Sequence, residues 1–140
     1  MKKKGQLTQR DVRLIEFCEN SLPISTDMAA ILFYPNRYIA QRRLTVIHNL
    51  KQLKRTERLY INQPYIYYHQ KKDLKFLSLT KLLCDLQEAG YLVDEYRFDG
   101  KTLNLHAQKE GNTFLINATL KNLRQVYQRL KLLLPNSPFT

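Results

Sequence analysis

The chain has 140 residues, the length of one ordinary domain or of two small units that share a core. Hydrophobic residues make up 44% and charged residues 25%, a balance that excludes wholesale disorder. The formal net charge of +11 and a pI near 9.8 indicate a polyanionic partner, either nucleic acid or an anionic membrane surface.

The sequence argues against a membrane-spanning or secreted protein. No stretch approaches the roughly 20 apolar residues needed to span a bilayer. The opening MKKKGQLTQR lacks the hydrophobic segment of a signal peptide. Cys18 and Cys84 lie far apart in apolar, helix-like contexts, which is typical of buried free thiols. We therefore expect a cytoplasmic protein.

The positive charge is concentrated in the first half. Residues 1–73 carry 14 Lys or Arg against 6 Asp or Glu, whereas residues 74–140 carry 9 against 6. Within residues 37–58 there are seven basic side chains and one acid, Glu57. A polyanion would therefore bind mainly to the first half.

Three helices are predicted in the first half, in the order typical of a helix-turn-helix. Thr8 and Asp11 form a capping-box pattern at the start of the first helix, and Pro23 follows its end. Its apolar residues recur at helical spacing: Val12, Ile15, Cys18 and Leu22. Ser25 or Thr26 can cap a short second helix.

The third helix is predicted to have one apolar and one polar face. Asn36 can cap it, and it is expected to run to about Lys54. One face is apolar: Ile39, Val46, Ile47, Leu50 and Leu53. The opposite face carries polar and long side chains: Arg37, Tyr38, Gln41, Arg42, Thr45 and His48. Arg43 and Lys54 fall within the apolar arc and are expected to reach a phosphate or a neighbouring acid.

A β-hairpin is predicted after the third helix. Two β-prone runs, 58–61 and 65–68, flank the turn-favouring triplet Asn62-Gln63-Pro64. A hairpin of this size is typical of the wing of a winged helix-turn-helix. Its tyrosines suit cross-strand packing. The alternative is stacking on single-stranded bases, for which Tyr65 near the tip is the best candidate.

The pattern changes at Asp73. An amphipathic helix that ends at Gly90 precedes three β-like runs, YLVDEYRF, TLNLHAQ and TFLINAT, and a final helix, LKNLRQVYQRLKLLL. The final helix could complete a core or form a dimer seam. The predicted fold class is α+β, with an N-terminal winged helix-turn-helix (residues 6–72) followed by a small α-β-β-β-α module (residues 73–134). We expect the second module to serve in assembly, for which a homodimer is one option.

The first half resembles the winged helices of the replication-relaxation family, found on plasmids and other mobile elements of Gram-positive bacteria. The resemblance rests on LTQRDVRLIEF, on RRLTVIHNLKQLKR and on PYIYYH, which together cover about residues 7–69. It implies a DNA-binding protein that acts in transcriptional or replication control.

Longer members of that family carry a second half similar to a restriction-endonuclease core. Such a core needs an acid on its second strand and an acid-x-Lys on its third to hold Mg²⁺. Here Asn117 and Thr119 stand where the acid and the lysine would be, and Asp99 has no evident carboxylate partner. We therefore expect no enzyme and no cofactor. No metal site is expected either, because the histidines lack companion ligands: His48, His69 and His106.

These patterns predict binding to DNA, with duplex favoured over single strands. The third helix would enter the major groove, where five of its side chains would contact the DNA: Arg37, Tyr38, Gln41, Arg42 and Thr45. Four basic residues would contact the phosphate backbone: Lys51, Lys54, Arg55 and Arg58. The wing would contact an adjacent groove near Gln63 and Tyr65.

The alternative is a protein-interaction module without enzymatic activity. A winged helix can serve as a docking surface, here as an accessory of a replication or DNA-transfer complex. Binding to phosphates should weaken steeply with salt, whereas docking through an apolar interface should not. Membrane-surface binding is disfavoured because the apolar stripe of the basic helix is needed for its own core.

Overall fold

The computed structural model describes residues 6–57 and 63–130 and has an α+β architecture, which confirms the α+β part of the expected fold class. The N-terminal part contains three helices and a small sheet, and the C-terminal part contains a three-stranded antiparallel sheet and a helix. The chain divides into two compact units between Leu77 and Ser78.

The first helix, α1 (Gln9–Glu19), begins at the predicted capping box. The Asp11 N–H donates to Thr8 Oγ1 at 3.2 Å, and the Thr8 N–H donates to Asp11 Oδ2 at 2.8 Å. These bonds satisfy backbone donors that the first turn leaves free. Ile15 and Cys18 are buried, as predicted. Val12 is exposed instead, and Leu14 and Phe17 complete the buried face.

Two further helices follow the two-residue strand β1 (Ile24–Ser25). Ser25 caps α2 (Thr26–Leu32), since its Oγ accepts from the Met28 N–H at 3.3 Å. Asn36 caps α3 (Arg37–Asn49), since its Oδ1 accepts from the Ile39 N–H at 2.9 Å. The three α-helices α1, α2 and α3 therefore each begin at a side-chain cap of the kind that the sequence predicts.

The predicted C-terminal end of α3 is wrong, because the helix stops at Asn49 rather than near Lys54. Lys51 has a φ of 62°, the left-handed conformation that ends many helices. The Lys51 N–H donates to the His48 carbonyl at 2.9 Å, and the Gln52 N–H donates to the Ile47 carbonyl at 3.1 Å. These two hydrogen bonds close the helix. The sequence did not predict this helix end because Lys51 is neither Gly nor Asn, the residues that usually adopt this conformation.

The small sheet brings together the strand before α2 and the two strands that follow α3. Its antiparallel order is β1-β3-β2, with β2 at Lys54–Arg55 and β3 at Ile66–Tyr68. Tyr67 lies opposite Ile24 on one side and Arg55 on the other, and its side chain is buried. The strand predicted over residues 58–61 lies outside the described residues. The hairpin ladder begins earlier than predicted, at Lys54.

The second unit begins within α4 (Leu77–Glu88), which follows a 3-10 helix, Lys71–Phe76. As predicted, α4 is closed at Gly90, whose φ is 92°. The Gly90 N–H donates to the Gln87 carbonyl, and the Tyr91 N–H donates to the Leu86 carbonyl. This is the same closing pattern as at the end of α3, here with the residue that adopts it most readily.

The C-terminal sheet matches the three predicted β-runs. Its strands are β4 (Leu92–Phe98), β5 (Leu103–Lys109) and β6 (Asn112–Ala118), in sequential antiparallel order. One face is buried through alternating residues: Leu103, Leu105, Ala107, Ile116 and Ala118.

The last helix is α5 (Leu123–Arg129), which begins later than predicted. The Thr119 N–H donates to Asn122 Oδ1 at 2.7 Å, and the Asn122 N–H donates to Thr119 Oγ1 at 3.1 Å, so this segment forms a turn instead of helix. Inside the unit the Tyr127 hydroxyl donates to Asp85, which joins α5 to α4. The predicted residues beyond Leu130 lie outside the described residues.

Both cysteines are buried free thiols, as predicted. Burial raises the pKa of Cys84 to about 12, so this thiol stays protonated and unreactive at neutral pH. Over residues 6–57 and 63–130, no helix is both long enough and apolar enough to cross a bilayer.

Candidate nucleic-acid interface

An ion pair between α1 and α3 sets the orientation of the basic helix. Arg43 Nη2 lies 2.5 Å from Asp11 Oδ2, and Arg43 Nε lies 3.3 Å and 3.2 Å from the two carboxylate oxygens. Nη2 also donates to the carbonyl of Gln6 at 2.9 Å. Of the two partners predicted for Arg43, a phosphate or a neighbouring acid, the structure therefore shows the acid.

The same carboxylate also receives a hydrogen bond from the segment that follows α2. The Tyr34 hydroxyl donates to Asp11 Oδ1 at 2.6 Å, and the Asp11 side chain is fully buried. Burial alone would raise the pKa of Asp11, but hydrogen bonds from Arg43, Thr8 and Tyr34 outweigh it and hold the pKa below its usual value. Burial and the bond to Asp11 raise the pKa of Tyr34. Asp11 therefore remains ionised and ties three helical segments together.

With Arg43 turned inward, the outer face of α3 is polar. The five helix residues predicted to contact DNA are all exposed: Arg37, Tyr38, Gln41, Arg42 and Thr45. The Arg42 guanidinium lies 5.6 Å from the centre of the Tyr38 ring, within cation–π range. The Thr45 hydroxyl donates to the Gln41 carbonyl at 2.9 Å, so its Oγ1 keeps acceptor capacity. We call these five residues the outer face of α3.

The buried face of α3 is rotated relative to the prediction. Ala40, Leu44 and Ile47 are buried, whereas Leu50 is exposed. Ile39 and Val46 are only half-buried. His48, predicted to be on the polar face, turns towards the small sheet, with Nδ1 3.1 Å from the Leu53 carbonyl oxygen and its ring against Tyr67. The rotation follows from Arg43, which reaches Asp11 only when its side of the helix faces α1.

One acid borders the outer face of α3 and was not anticipated. Asp27, in the first turn of α2, accepts from Arg37 Nε at 2.6 Å. The two side chains are 66% and 60% exposed, so water and salt weaken the pair. A phosphate could compete with Asp27 for Arg37. The sequence signal for this pair is the acidic residue Asp27 in the first turn of the helix that precedes α3.

Basic residues continue from the end of α3 into β2. Lys51 and Lys54 are exposed. The Arg55 guanidinium stacks on the Tyr65 ring, 4.0 Å from its centre, so its planar group is held in place while it remains charged. The remaining predicted phosphate contact, Arg58, lies outside the described residues.

The tyrosines beside β3 are mostly used for packing. Tyr65 is half-buried, and its ring meets that of Tyr67 edge-on at 6.2 Å. Tyr67 is buried and Tyr68 is half-buried. Gln63 is half-buried as well. The packing interpretation therefore holds for Tyr67. A base that stacks on Tyr65 would meet a ring on which Arg55 already lies.

Two acids and a histidine of the C-terminal sheet and its first turn, including the Asp99 and His106 considered for catalysis or metal binding, form local hydrogen bonds. Asp99 Oδ1 accepts from the backbone N–H groups of Lys101 and Thr102 at 2.9 Å and 2.7 Å, which shapes the β4–β5 turn and lowers the Asp99 pKa. His106 Nδ1 lies 2.7 Å from Asp94 Oδ1 on the exposed face of the sheet. Within the described ranges, no group of three or more His, Cys, Asp or Glu residues could hold a metal ion.

Comparison of the chain with models of protein families, with curated proteins and with solved structures found no match. The resemblance to the replication-relaxation family therefore stays a prediction drawn from the sequence motifs.

Proposed function

We propose that residues 6–72 form a winged helix-turn-helix that binds duplex DNA through the outer face of α3. The observation that carries the proposal is the division of α3 into two sides. One side is held inward by Ala40, Leu44 and the Arg43–Asp11 pair. The other presents Arg, Gln, Thr and Tyr side chains and no acid from α3 itself.

In this proposal α3 enters the major groove. Arg42 and Gln41 have the donors and acceptors that pair in bidentate fashion with guanine and adenine edges. Arg37 would exchange Asp27 for a phosphate or a base, at small cost because their ion pair is exposed. Thr45 and Tyr38 would supply a further hydrogen bond and an apolar contact.

Phosphate contacts would come from the residues that follow α3. Lys51 and Lys54 are exposed cations, and Arg55 is an oriented one on Tyr65. Arg58 and the hairpin tip near Gln63 and Tyr65 would reach the adjacent groove. Such contacts position a protein on DNA and supply affinity, whereas base contacts supply specificity.

The biological role that we propose is transcriptional or replication control in the cytoplasm, on a plasmid or another mobile element. This part rests on the motif resemblance and on the basic charge of the chain. It requires no enzyme activity and no cofactor.

The test is a binding titration of the full chain with a fluorescently labelled random duplex and with the matching single strand, from 50 to 200 mM salt. About six phosphate contacts should weaken duplex binding roughly a thousandfold over that range. A preference for the single strand would overturn the duplex proposal and point to Tyr65. Absence of binding to either at 50 mM salt would overturn DNA binding altogether and favour the alternative of a protein-docking accessory.

A further inference from the structure

The two edges of the C-terminal sheet differ in how they are protected. On the described residues, β4 and β6 each pair only with β5. The β4 edge carries Asp94, Glu95 and Arg97 and a register shift between Val93 and Glu95. Charges and bulges are the usual devices that keep an edge strand from pairing with another chain. β6, read NTFLINA, has no charge, no proline and no register shift.

The backbone of β6 offers hydrogen-bonding groups at this edge. The β5–β6 turn is the two-residue pair Glu110–Gly111, with φ values of 53° and 82°, which makes Lys109 and Asn112 a hydrogen-bonded pair. Alternation along the ladder then directs the backbone groups of Thr113, Leu115 and Asn117 away from β5. The Asn117 carbonyl fits this assignment, since it accepts from Asn122 Nδ2 at 3.0 Å and keeps a second lone pair.

A groove of about 240 Å³, with mixed apolar and polar lining, runs beside the same edge. It is lined by residues of β6 and α5: Phe114, Leu115, Ile116, Asn117, Val126, Arg129 and Leu130. Leu115 also borders this groove, and it is 79% exposed, the highest value among the exposed large hydrophobic residues of the described chain. An added strand would cover both the groove and Leu115.

We propose that β6 pairs antiparallel with β6 of a second copy of this chain, about a two-fold axis at Leu115. The axis lies at the centre of the seven-residue strand, so the whole strand is paired. Leu115 lies opposite the partner's Leu115, and Thr113 lies opposite the partner's Asn117. On the buried face, Phe114 lies opposite the partner's Ile116, beside the groove that both residues line.

A second copy is the occupant that this strand fits. In the Leu115-centred register every apolar residue from 113 to 117 meets an apolar residue, and every polar one meets a polar one. A chain with a net charge of +11 repels its own copies, so self-association is favoured at a strand without charge. β6 carries no charged residue, and Arg129 is the one charged residue among those that line the groove beside it. This inference does not depend on DNA binding, and each can fail without the other.

The test is sedimentation equilibrium of the full chain, compared with Leu115→Lys and Leu92→Lys. Leu92 is the matched control, because it is 58% exposed and lies on the same sheet face but on the charged edge strand β4. We expect a dimer whose dissociation constant rises about tenfold or more in Leu115→Lys, where two like charges would face each other, and stays unchanged in Leu92→Lys. Unchanged thermal stability at low concentration would show that both variants fold.

A monomeric wild-type chain at all concentrations would overturn the inference, as would a Leu115→Lys dimer of wild-type affinity. The register has its own test, since residues at a hydrogen-bonded antiparallel pair have Cα atoms about 5.5 Å apart, within disulfide range. Under oxidation Leu115→Cys should form a cross-linked dimer and Leu92→Cys should not, while the native Cys18 and Cys84 stay buried. Equal cross-linking of the two variants, or none at Leu115, would overturn the proposed axis.

Discussion

Arg43 of α3 binds the buried carboxylate of Asp11, the same group that completes the capping box of α1. One carboxylate thus begins the first helix and holds the third. A buried carboxylate left without its cation would be strongly destabilising, and so would a guanidinium that has lost its buried partner. The orientation of the outer face of α3 therefore depends on a residue far from it in sequence.

Removal of this charge should destabilise the protein substantially. Asp11→Asn should lower the free energy of unfolding by about 3 kcal/mol, because Arg43 loses its partner in a largely buried position. Asp27→Asn is the matched control, since the exposed pair with Arg37 should contribute less than about 1 kcal/mol. Urea denaturation of the three proteins measures both effects. Similar losses in the two variants would contradict a special role for the buried pair.

Stability should also depend on pH through Asp11. Its pKa in the folded protein lies below its usual value, so the stabilisation is present above about pH 4, the unfolded pKa, and is lost as the pH falls through the folded pKa. The difference in melting temperature between wild type and Asp11→Asn should therefore shrink below pH 4. Thermal melts from pH 3 to pH 7 test the sign. A difference that grew in acid would show that the folded-state pKa of Asp11 is raised instead.

Local features of this fold were predictable from the sequence, whereas long-range ones were not. The caps at Thr8, Ser25 and Asn36 depend on neighbours three residues away, and all three formed as expected. The three C-terminal strands follow from alternation and turn residues. The contact between Asp11 and Arg43 spans 32 positions, and the sequence showed only that an arginine lay in an apolar arc.

The candidate site was predictable to the same degree. The exposed residues of α3 follow from helical spacing, and all five proposed there are exposed. The rotation of the helix by its buried ion pair, and the inward turn of His48, could not be read from periodicity. The pairing of Arg37 with Asp27 also depends on how α2 and α3 pack, which spacing alone does not specify.

Lys51 combines a conformational cost with a proposed role. Its φ of 62° suits glycine better, so Lys51→Gly should raise the free energy of unfolding by about 0.5–1 kcal/mol. Lys51→Ala keeps the Cβ, and with it the conformational cost, and removes the rest of an exposed side chain together with its charge, so it should leave stability nearly unchanged. If Lys51 contacts a phosphate, both variants should weaken duplex binding equally. Chemical denaturation and binding titrations separate the two effects, and a Gly variant less stable than the Ala variant would contradict the backbone argument.

Arg42 tests the nucleic-acid proposal most directly. It is exposed on the outer face of α3 beside Tyr38, so Arg42→Ala should leave the melting temperature unchanged. If Arg42 reads a base, the variant should lose about 1–3 kcal/mol of affinity for a preferred duplex and less for a random one. Arg97→Ala, the same charge change at an exposed position of β4, is the control and should retain nearly full affinity. Equal losses in both variants would mean that net charge alone drives binding. Unfolding of the Arg42 variant would contradict the assignment of this side chain to the outer face of α3.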